Sequence, residues 1–271
     1  MTTDKQEIAS LFTRTSGLHD TTGGLFAHFG SLLVEWSQLK PSARVLDVAA
    51  GVGASLVPAA RRIGPSGSVV GVDLAPGMVA RLQQVIEAGG LGNAEELEAD
   101  AEQLPFADDS FDAVLCGFGL FFFPDPLRAL AEFRRVARAG GTVALSTFTR
   151  DGSASMDRMW QRIGEYVAVP PPAADEMRFH EPAQLLDILD RAGFLHVQVE
   201  VSPFQVVLPD IDAWFRWLRS MEFGESLARM SPTQLEHLRD SARADFAGQT
   251  DSSEVRFPMD ALFSRGRKAV R

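Results

Sequence analysis

An α/β fold built around a parallel sheet is predicted by three observations in the first half of the chain. Apolar runs alternate with amphipathic segments at the spacing of β–α units. Acids stand at or just after the ends of three of these runs, at Asp47, Asp73 and Asp100, which are 26 and 27 residues apart. The first run passes directly into a loop of small residues, Ala49–Gly53. Strands that alternate with helices in this way form a parallel sheet covered on both faces.

The elements of this core follow from hydrophobic periodicity. Strands are expected near residues 44–49, 68–73, 95–99, 111–117 and 141–147, and helices near 52–63, 76–89 and 126–138. Pro76 suits a first helical turn, and Asp125 suits an N-cap before Pro126. The pair Gly140-Gly141 is predicted to end the third helix.

The segments that flank this core do not continue its regular alternation of strands and helices. Residues 1–40 read as two helices with a break at Thr21–Gly24 and are predicted to form an N-terminal helical lid, with the core domain at 41–271. Beyond the core we expect a helix at 182–192, a strand at Leu195–Val201, two helices within 210–247 and a last strand within 255–265. Because Pro258 cannot donate to a ladder, the paired part of that strand is expected at Ala261–Arg265.

Composition narrows the class of protein. The 271 residues are 45% hydrophobic and carry a formal net charge of −10, which is typical of a globular chain and disfavours a nucleic-acid partner. The single cysteine, Cys116, excludes an internal disulfide and favours a cytoplasmic location. We expect no secretory signal and no membrane insertion, since the longest apolar run, 113–124, is too short to span a bilayer. The sequence leaves open whether the protein forms a homo-oligomer, and it predicts no metal site.

The loop after the first strand indicates a nucleotide-like ligand. Gly51 and Gly53 let the backbone approach a ligand closely, and the helix that follows presents its N-terminus to the same place. Asp73 ends the second strand, where a carboxylate can accept both hydroxyls of a ribose. These features suit a dinucleotide as well, although Leu56 stands where a dinucleotide-binding loop favours a third small residue.

Five blocks of sequence distinguish a dinucleotide from another nucleotide-like ligand. They are Val45–Gly53, Val69–Met78, Ala99–Phe111, Phe111–Pro126 and Ala129–Thr147. In their order and spacing, these blocks resemble the class I S-adenosylmethionine-dependent methyltransferases, closest in pattern to the ubiquinone/menaquinone-biosynthesis and natural-product tailoring groups. The resemblance implies a Rossmann-like, seven-stranded, mostly parallel sheet with a final antiparallel strand and a helical cap inserted at about 204–250. Ala49 departs from the family pattern, which has its first glycine there.

The resemblance also implies which residues hold the donor, S-adenosylmethionine. Asp47 would anchor the methionine amine, with loop capping as the alternative, and Asp73 would hold the ribose. Leu74 and Met78 would enclose the adenine, whose exocyclic amine and ring nitrogen would meet the Asp100 carboxylate and the Ala101 amide. The remaining implied contacts are the loop residues Ala49, Gly51 and Gly53, and Gly117 and Phe118 at the end of the fourth strand.

The acceptor side is less well defined by the sequence. Oxygen-methylating relatives often carry a histidine pair before the Pro-Asp after the fourth strand, whereas this chain has Leu120–Phe123 there. The candidates for acid–base or positioning roles are His19, Asp20 and His28 in the lid and Tyr166 beyond the core. Aromatic residues in and near the cap favour an apolar or planar small-molecule acceptor, or else form the cap core or a subunit interface. They are Trp160, Trp214, Phe215, Trp217 and Phe223.

The function predicted from these residues is methyl transfer to carbon, or to an already acidic hydroxyl, because both need alignment more than a strong base. The expected setting is quinone-type or secondary-metabolite biosynthesis. A cyclase or rearrangement enzyme that keeps the same donor site is the alternative. A nicotinamide-dependent reductase is disfavoured by Leu56 and by the block at 99–106.

Overall fold

The computed structural model describes residues 5–17, 24–167, 178–220, 223–246 and 254–270, and it confirms the α/β prediction. Seven strands of this described part form one sheet. They are β1 (Arg44–Val48), β2 (Ser68–Asp73), β3 (Ala94–Glu98), β4 (Phe111–Gly117), β5 (Ala137–Phe148), β6 (Leu195–Ser202) and β9 (Ala261–Arg267). Their order across the sheet is β3-β2-β1-β4-β5-β9-β6.

The sheet is mostly parallel, as expected. β1 is an interior strand, with β2 on one side and β4 on the other, and both pairings are parallel. β9 runs antiparallel between β5 and β6, which confirms the final antiparallel strand. Asp47 pairs with Gly71 of β2 and with Leu115 of β4, so its carboxylate starts from the middle of the sheet.

Helices cover both faces of the sheet. The helices of the described residues are α1 (Lys5–Thr15), α2 (Leu25–Ser37), α3 (Leu56–Ile63), α4 (Pro76–Gly89), α5 (Pro126–Val136), α6 (Arg150–Gly164), α7 (Pro182–Arg191), α8 (Ile211–Ser220), α9 (Gly224–Ala228) and α10 (Pro232–Phe246). One core contains buried side chains of α2, α3 and α4, and the other contains those of α5 and α7. Cys116 is fully buried in the second core, where desolvation raises the pKa of its thiol.

Some of the local start and stop signals were correct and others were not. Asp125 caps α5, accepting a hydrogen bond from the Arg128 amide at 3.0 Å, and Pro76 begins α4. The prediction for Gly140-Gly141 was wrong, because α5 ends at Val136 and both glycines lie within β5. The helix expected at 52 begins at Leu56, since the preceding residues form turns.

The chain after β6 is more elaborate than predicted. Two further strands, β7 (Gln205–Leu208) and β8 (Val255–Pro258), pair with each other in a separate sheet, and α8, α9 and α10 lie between them in sequence. Three helices therefore stand where two were expected. Pro258 is paired after all, opposite Gln205 at one end of this two-stranded sheet, a position where a missing amide costs little.

The contact between α2 and the loop that joins β1 to α3 depends on Gly30. A β-carbon at Gly30 would lie 2.1 Å from the Ala54 carbonyl oxygen, and backbone cannot move aside as a flexible side chain can. We therefore expect Gly30→Ala to lower the free energy of unfolding by about 1–3 kcal/mol, the usual cost of overpacking. Chemical denaturation measures this value.

Gly164 provides the matched control for that substitution. It is the last residue of α6, and nothing lies within 4 Å of the position its β-carbon would take. Alanine also favours helix over glycine. Gly164→Ala is therefore expected to be neutral or slightly stabilising, and an equal loss in both variants would contradict the packing argument.

Candidate active site

The candidate site lies at the carboxyl ends of β1, β2, β3 and β4, where ligands of open α/β sheets bind. Because β1, β2 and β3 are adjacent and parallel, the acids predicted from the sequence come to one edge of the sheet. Asp47 and Asp73 lie in β1 and β2, and Asp100 follows β3. The prediction that neighbouring strands bring these carboxylates together is consistent with this topology.

Asp47 is the most unusual of the three. Its residue is 1% exposed, and neither carboxylate oxygen has a hydrogen-bond partner among the described residues. Desolvation, and secondarily the charge of Asp73, raise the pKa of Asp47 to about 8, and the nearby Leu56 amide, which does not reach hydrogen-bond geometry, opposes this shift only in part. A buried carboxylate of this kind is stabilised when a cationic group comes beside it. It therefore suits a ligand that carries an ammonium group.

Asp73 ties the loop to the end of β2. One of its oxygens accepts a hydrogen bond from the Gly51 amide, and the other accepts one from the Ala75 amide, both at 2.9 Å. Desolvation raises the pKa of the Asp73 carboxyl, and the surrounding amides partly offset that effect. A carboxylate has about four acceptor positions. Two amides therefore leave acceptor capacity for the hydroxyls of a ligand.

The loop between β1 and α3 has a left-handed backbone at three positions. The φ angles are 55° at Ala49, 54° at Gly51 and 93° at Gly53. Alanine in this region costs about 1 kcal/mol or more, so the surroundings must stabilise it. Gly119 makes room for it, because a β-carbon there would lie only 2.6 Å from the Ala49 β-carbon. Sequence reasoning missed this role of Gly119, since the two residues are 70 positions apart.

The segment after β3 holds Asp100 through two contacts. One Asp100 oxygen accepts a hydrogen bond from the Glu102 amide at 2.9 Å, and the other accepts one from the Lys5 ammonium at 2.7 Å. Lys5 begins α1 and was not among the predicted site residues. Ala101 is buried beside Asp100, Met78 is buried at the start of α4, and Leu74 is half-buried.

Aromatic side chains gather near the ends of β4 and β5. Phe118 follows β4 with a φ of 54°, and its amide donates to the Ser146 carbonyl at 2.9 Å. Its ring centroid lies 4.3 Å from that of Phe148 and 5.6 Å from that of Phe26 in α2. Gly117, at the end of β4, lies next to this aromatic group of Phe26, Phe118 and Phe148.

The acceptor-side candidates occupy different positions. His28, on α2, is exposed and stacks on Phe204 with a centroid distance of 4.4 Å. Tyr166 follows α6 and is half-buried, and its carbonyl accepts a hydrogen bond from Gln234 of α10 at 3.3 Å. His19 and Asp20 lie outside the described residues. His28 is thus the predicted candidate that the structure shows beside aromatic rings of the core.

The aromatic residues predicted to lie in or near a cap are largely core residues. Trp214, Phe215, Trp217 and Phe223 are each at most 3% exposed, whereas the Trp160 side chain lies outside the described part. Trp214 and Trp217 also line a cavity of about 260 Å³ between α6, α8, α10 and β8. This cavity is smaller than most small-molecule sites, which span about 300–1,000 Å³.

Comparison with known proteins identifies the class. A family model described as a methyltransferase domain matches residues 46–145. The nocamycin O-methyltransferase of Saccharothrix syringae is 30% identical over 224 residues, which cover 76% of this chain and 79% of that protein. The chain belongs to the S-adenosylmethionine-dependent methyltransferases, and its cofactor is S-adenosylmethionine.

Two further relatives bear on the subgroup. The aklanonic acid methyltransferase DauC of Streptomyces sp. strain C5 is 35% identical over 144 residues, or 53% of this chain and 66% of that protein, just under two thirds of its length. The ubiquinone/menaquinone biosynthesis C-methyltransferase UbiE of Teredinibacter turnerae is 28% identical over 70% of this chain and 85% of its own. The resemblance inferred from the five sequence blocks is confirmed.

Solved structures agree on the fold. Phosphoethanolamine N-methyltransferase 2 of Haemonchus contortus, in complex with S-adenosyl-L-methionine, superposes with a TM-score of 0.57 at 18% identity, covering 89% of this chain and 52% of that one. At this identity the likeness shows the fold alone. Among the described residues, no helix is long and apolar enough to cross a membrane.

Proposed function

We propose that this methyltransferase methylates a carbon, or an already acidic hydroxyl, of a small, planar and largely apolar molecule in quinone-type or secondary-metabolite biosynthesis. The observation that carries the proposal is the aromatic group of Phe26, Phe118 and Phe148. It lies beside the proposed donor site at the carboxyl ends of β1, β2, β3 and β4, which we call the donor edge of the sheet. Flat aromatic walls favour planar ligands through offset and edge-to-face contacts. The names of the relatives, which include C- and O-methyltransferases of biosynthetic pathways, support the same class of acceptor.

The donor would be held by residues from four loops. Asp47 would receive its ammonium, Asp73 its ribose hydroxyls, and Asp100 its adenine amine. The other proposed contacts are Ala49, Gly51, Gly53, Leu74, Met78, Ala101, Gly117 and Phe118. Three features support this arrangement, namely the unpartnered oxygens of Asp47, the acceptor capacity that Asp73 keeps, and the thin backbone of the loop.

The chemistry places few demands on the protein beyond alignment. The bound donor supplies an electrophilic methyl group on a sulfonium. On transfer of this methyl group from sulfur to the acceptor, the acceptor would also have to give up a proton, unless it binds already ionised, and a nearby base would take that proton. The aromatic group would align the acceptor and exclude water. His28, exposed beside Phe204, is the candidate base, while roles for His19, Asp20 and Tyr166 stay predictions.

A pair of phenylalanine variants tests the position of the acceptor. Phe148 and Phe246 are both half-buried, but Phe246 lines the cap cavity instead of the donor edge. We expect Phe148→Leu to raise the KM for a planar phenolic or quinol acceptor about tenfold, the loss of about 1.4 kcal/mol of aromatic contact. The Kd for S-adenosylhomocysteine should not change, and Phe246→Leu should leave both constants unchanged.

The same experiment can contradict the proposal. A KM that rises in Phe246→Leu and not in Phe148→Leu would move the acceptor to the cap cavity. Donor carrying a labelled methyl group separates methylation from cyclisation. Label that appears in the product confirms transfer, whereas product formed with the label retained on the donor favours the cyclase alternative.

A further inference from the structure

We propose that Lys5 is a positioning residue of the donor site, which fixes Asp100 for the adenine amine and docks α1 across that end of the site. The proposal rests on the placement of the adenine at Asp100 in the proposed function. It concerns a residue 95 positions away from Asp100, at the start of the first helix.

Lys5 bridges two carboxylates. Its ammonium donates to Asp100 and to Glu102, both at 2.7 Å. The other oxygen of each carboxylate accepts a hydrogen bond from a backbone amide. The Glu102 amide donates to Asp100 at 2.9 Å, and the Asp125 amide donates to Glu102 at 2.8 Å. Each carboxylate is therefore fixed at both oxygens, and one of the two anchors comes from Lys5.

The charges explain why a cation is needed here. The Glu102 side chain is only 6% exposed, so its carboxylate must be paired to be stable. Hydrogen bonds to Asp100 and Glu102 raise the pKa of Lys5, although burial opposes them. One ammonium between two carboxylates still leaves a net negative charge. An amine hydrogen that approaches Asp100 therefore meets an oriented acceptor that has not been neutralised.

The rest of α1 contacts the neighbouring parts of the same edge. The Thr13 hydroxyl accepts a hydrogen bond from the Gly77 amide at 3.3 Å, at the start of α4. A β-carbon at Gly77 would lie 2.7 Å from the Thr13 α-carbon, so the two backbones are in close contact. Phe12 meets Phe122, just after β4, edge to face at 5.0 Å. Thus α1 joins the segments that follow β2, β3 and β4.

A comparison of two ligands tests the role of Lys5 in the full chain. S-adenosylhomocysteine carries the 6-amino group, whereas S-inosylhomocysteine has a carbonyl oxygen there, which Asp100 would repel. We expect the wild type to prefer the adenosyl ligand, so that its Kd for S-inosylhomocysteine is higher than its Kd for S-adenosylhomocysteine. Lys5→Met should reduce the ratio of the first Kd to the second about tenfold. Lys5→Arg should restore most of the preference. Lys40→Met, which removes an exposed lysine of the loop before β1, should bind both ligands as the wild type does.

The outcomes separate this role from a purely structural one. If Lys5→Met weakens both ligands equally, or neither, Lys5 does not position Asp100 and the proposal is overturned. If the wild type binds both ligands equally, Asp100 does not read the amine, and the adenine placement fails together with the role of Lys5. Absence of any S-adenosylhomocysteine binding by the wild type would instead remove the donor site itself.

Discussion

Replacing Asp73 by alanine is expected to weaken binding of S-adenosylhomocysteine at least about 100-fold. The substitution removes the acceptor proposed for two ribose hydroxyls, and charge-assisted hydrogen bonds of this kind contribute about 1.5–3 kcal/mol each. It also frees the Gly51 and Ala75 amides that Asp73 now holds, so the loop loses its anchor to β2. Isothermal titration calorimetry measures the change in Kd.

Asp112 provides a matched control for the structural part of that effect. It also accepts from a backbone amide, that of Arg44 at 2.7 Å, and pairs with Arg138 at 2.8 Å. However, it stands near the start of β4, at the opposite end of the sheet from the proposed donor site. Asp112→Ala should lower stability while leaving the Kd for S-adenosylhomocysteine unchanged. An Asp73→Ala variant that binds this ligand within threefold of the wild type would refute the ribose assignment.

That Asp47, Asp73 and Asp100 lie at one edge of the sheet could be predicted because the signals for this placement are local in sequence. Each of Asp47, Asp73 and Asp100 lies in or directly after its own strand, and a parallel sheet brings such positions to one edge without further information. The turn at Gly51 and Gly53 and the Asp125 cap are local in the same sense.

Contacts between distant segments could not be predicted in this way. Lys5 meets Asp100 only because α1 packs on α4, and Gly119 faces Ala49 only once β4 has paired beside β1. The prediction that Gly140 ends a helix was wrong because a glycine with a left-handed backbone can also lie within an irregular strand, as Gly140 does in β5. The paired strands β7 and β8 are separated by nearly 50 residues of sequence. The alternation of apolar and polar residues within a strand does not indicate which other strand it pairs with.

Asp47 is expected to make donor binding depend on pH in a defined direction. Its pKa of about 8 means that the carboxyl is mostly protonated at neutral pH in the free protein. Because the ammonium of the donor favours the ionised form, binding must release a proton. Affinity should therefore rise by up to about tenfold per pH unit as pH increases from 6 to 7.5, a range in which an α-amino group stays largely protonated. Calorimetry in buffers of different ionisation enthalpy counts the released protons.

Asp47→Asn separates this linkage from other effects. In the wild type without donor, the folded state holds a proton that the unfolded state loses above about pH 4, so stability should fall as pH rises from about 4 to 8. The asparagine variant cannot ionise and should lose this slope, becoming more stable than the wild type near pH 8 while binding the donor more weakly. Asp112→Asn, at the far end of β4, should keep the wild-type pH dependence of binding. Proton release that persists in Asp47→Asn would assign the titration to another group and leave the buried carboxylate without its proposed partner.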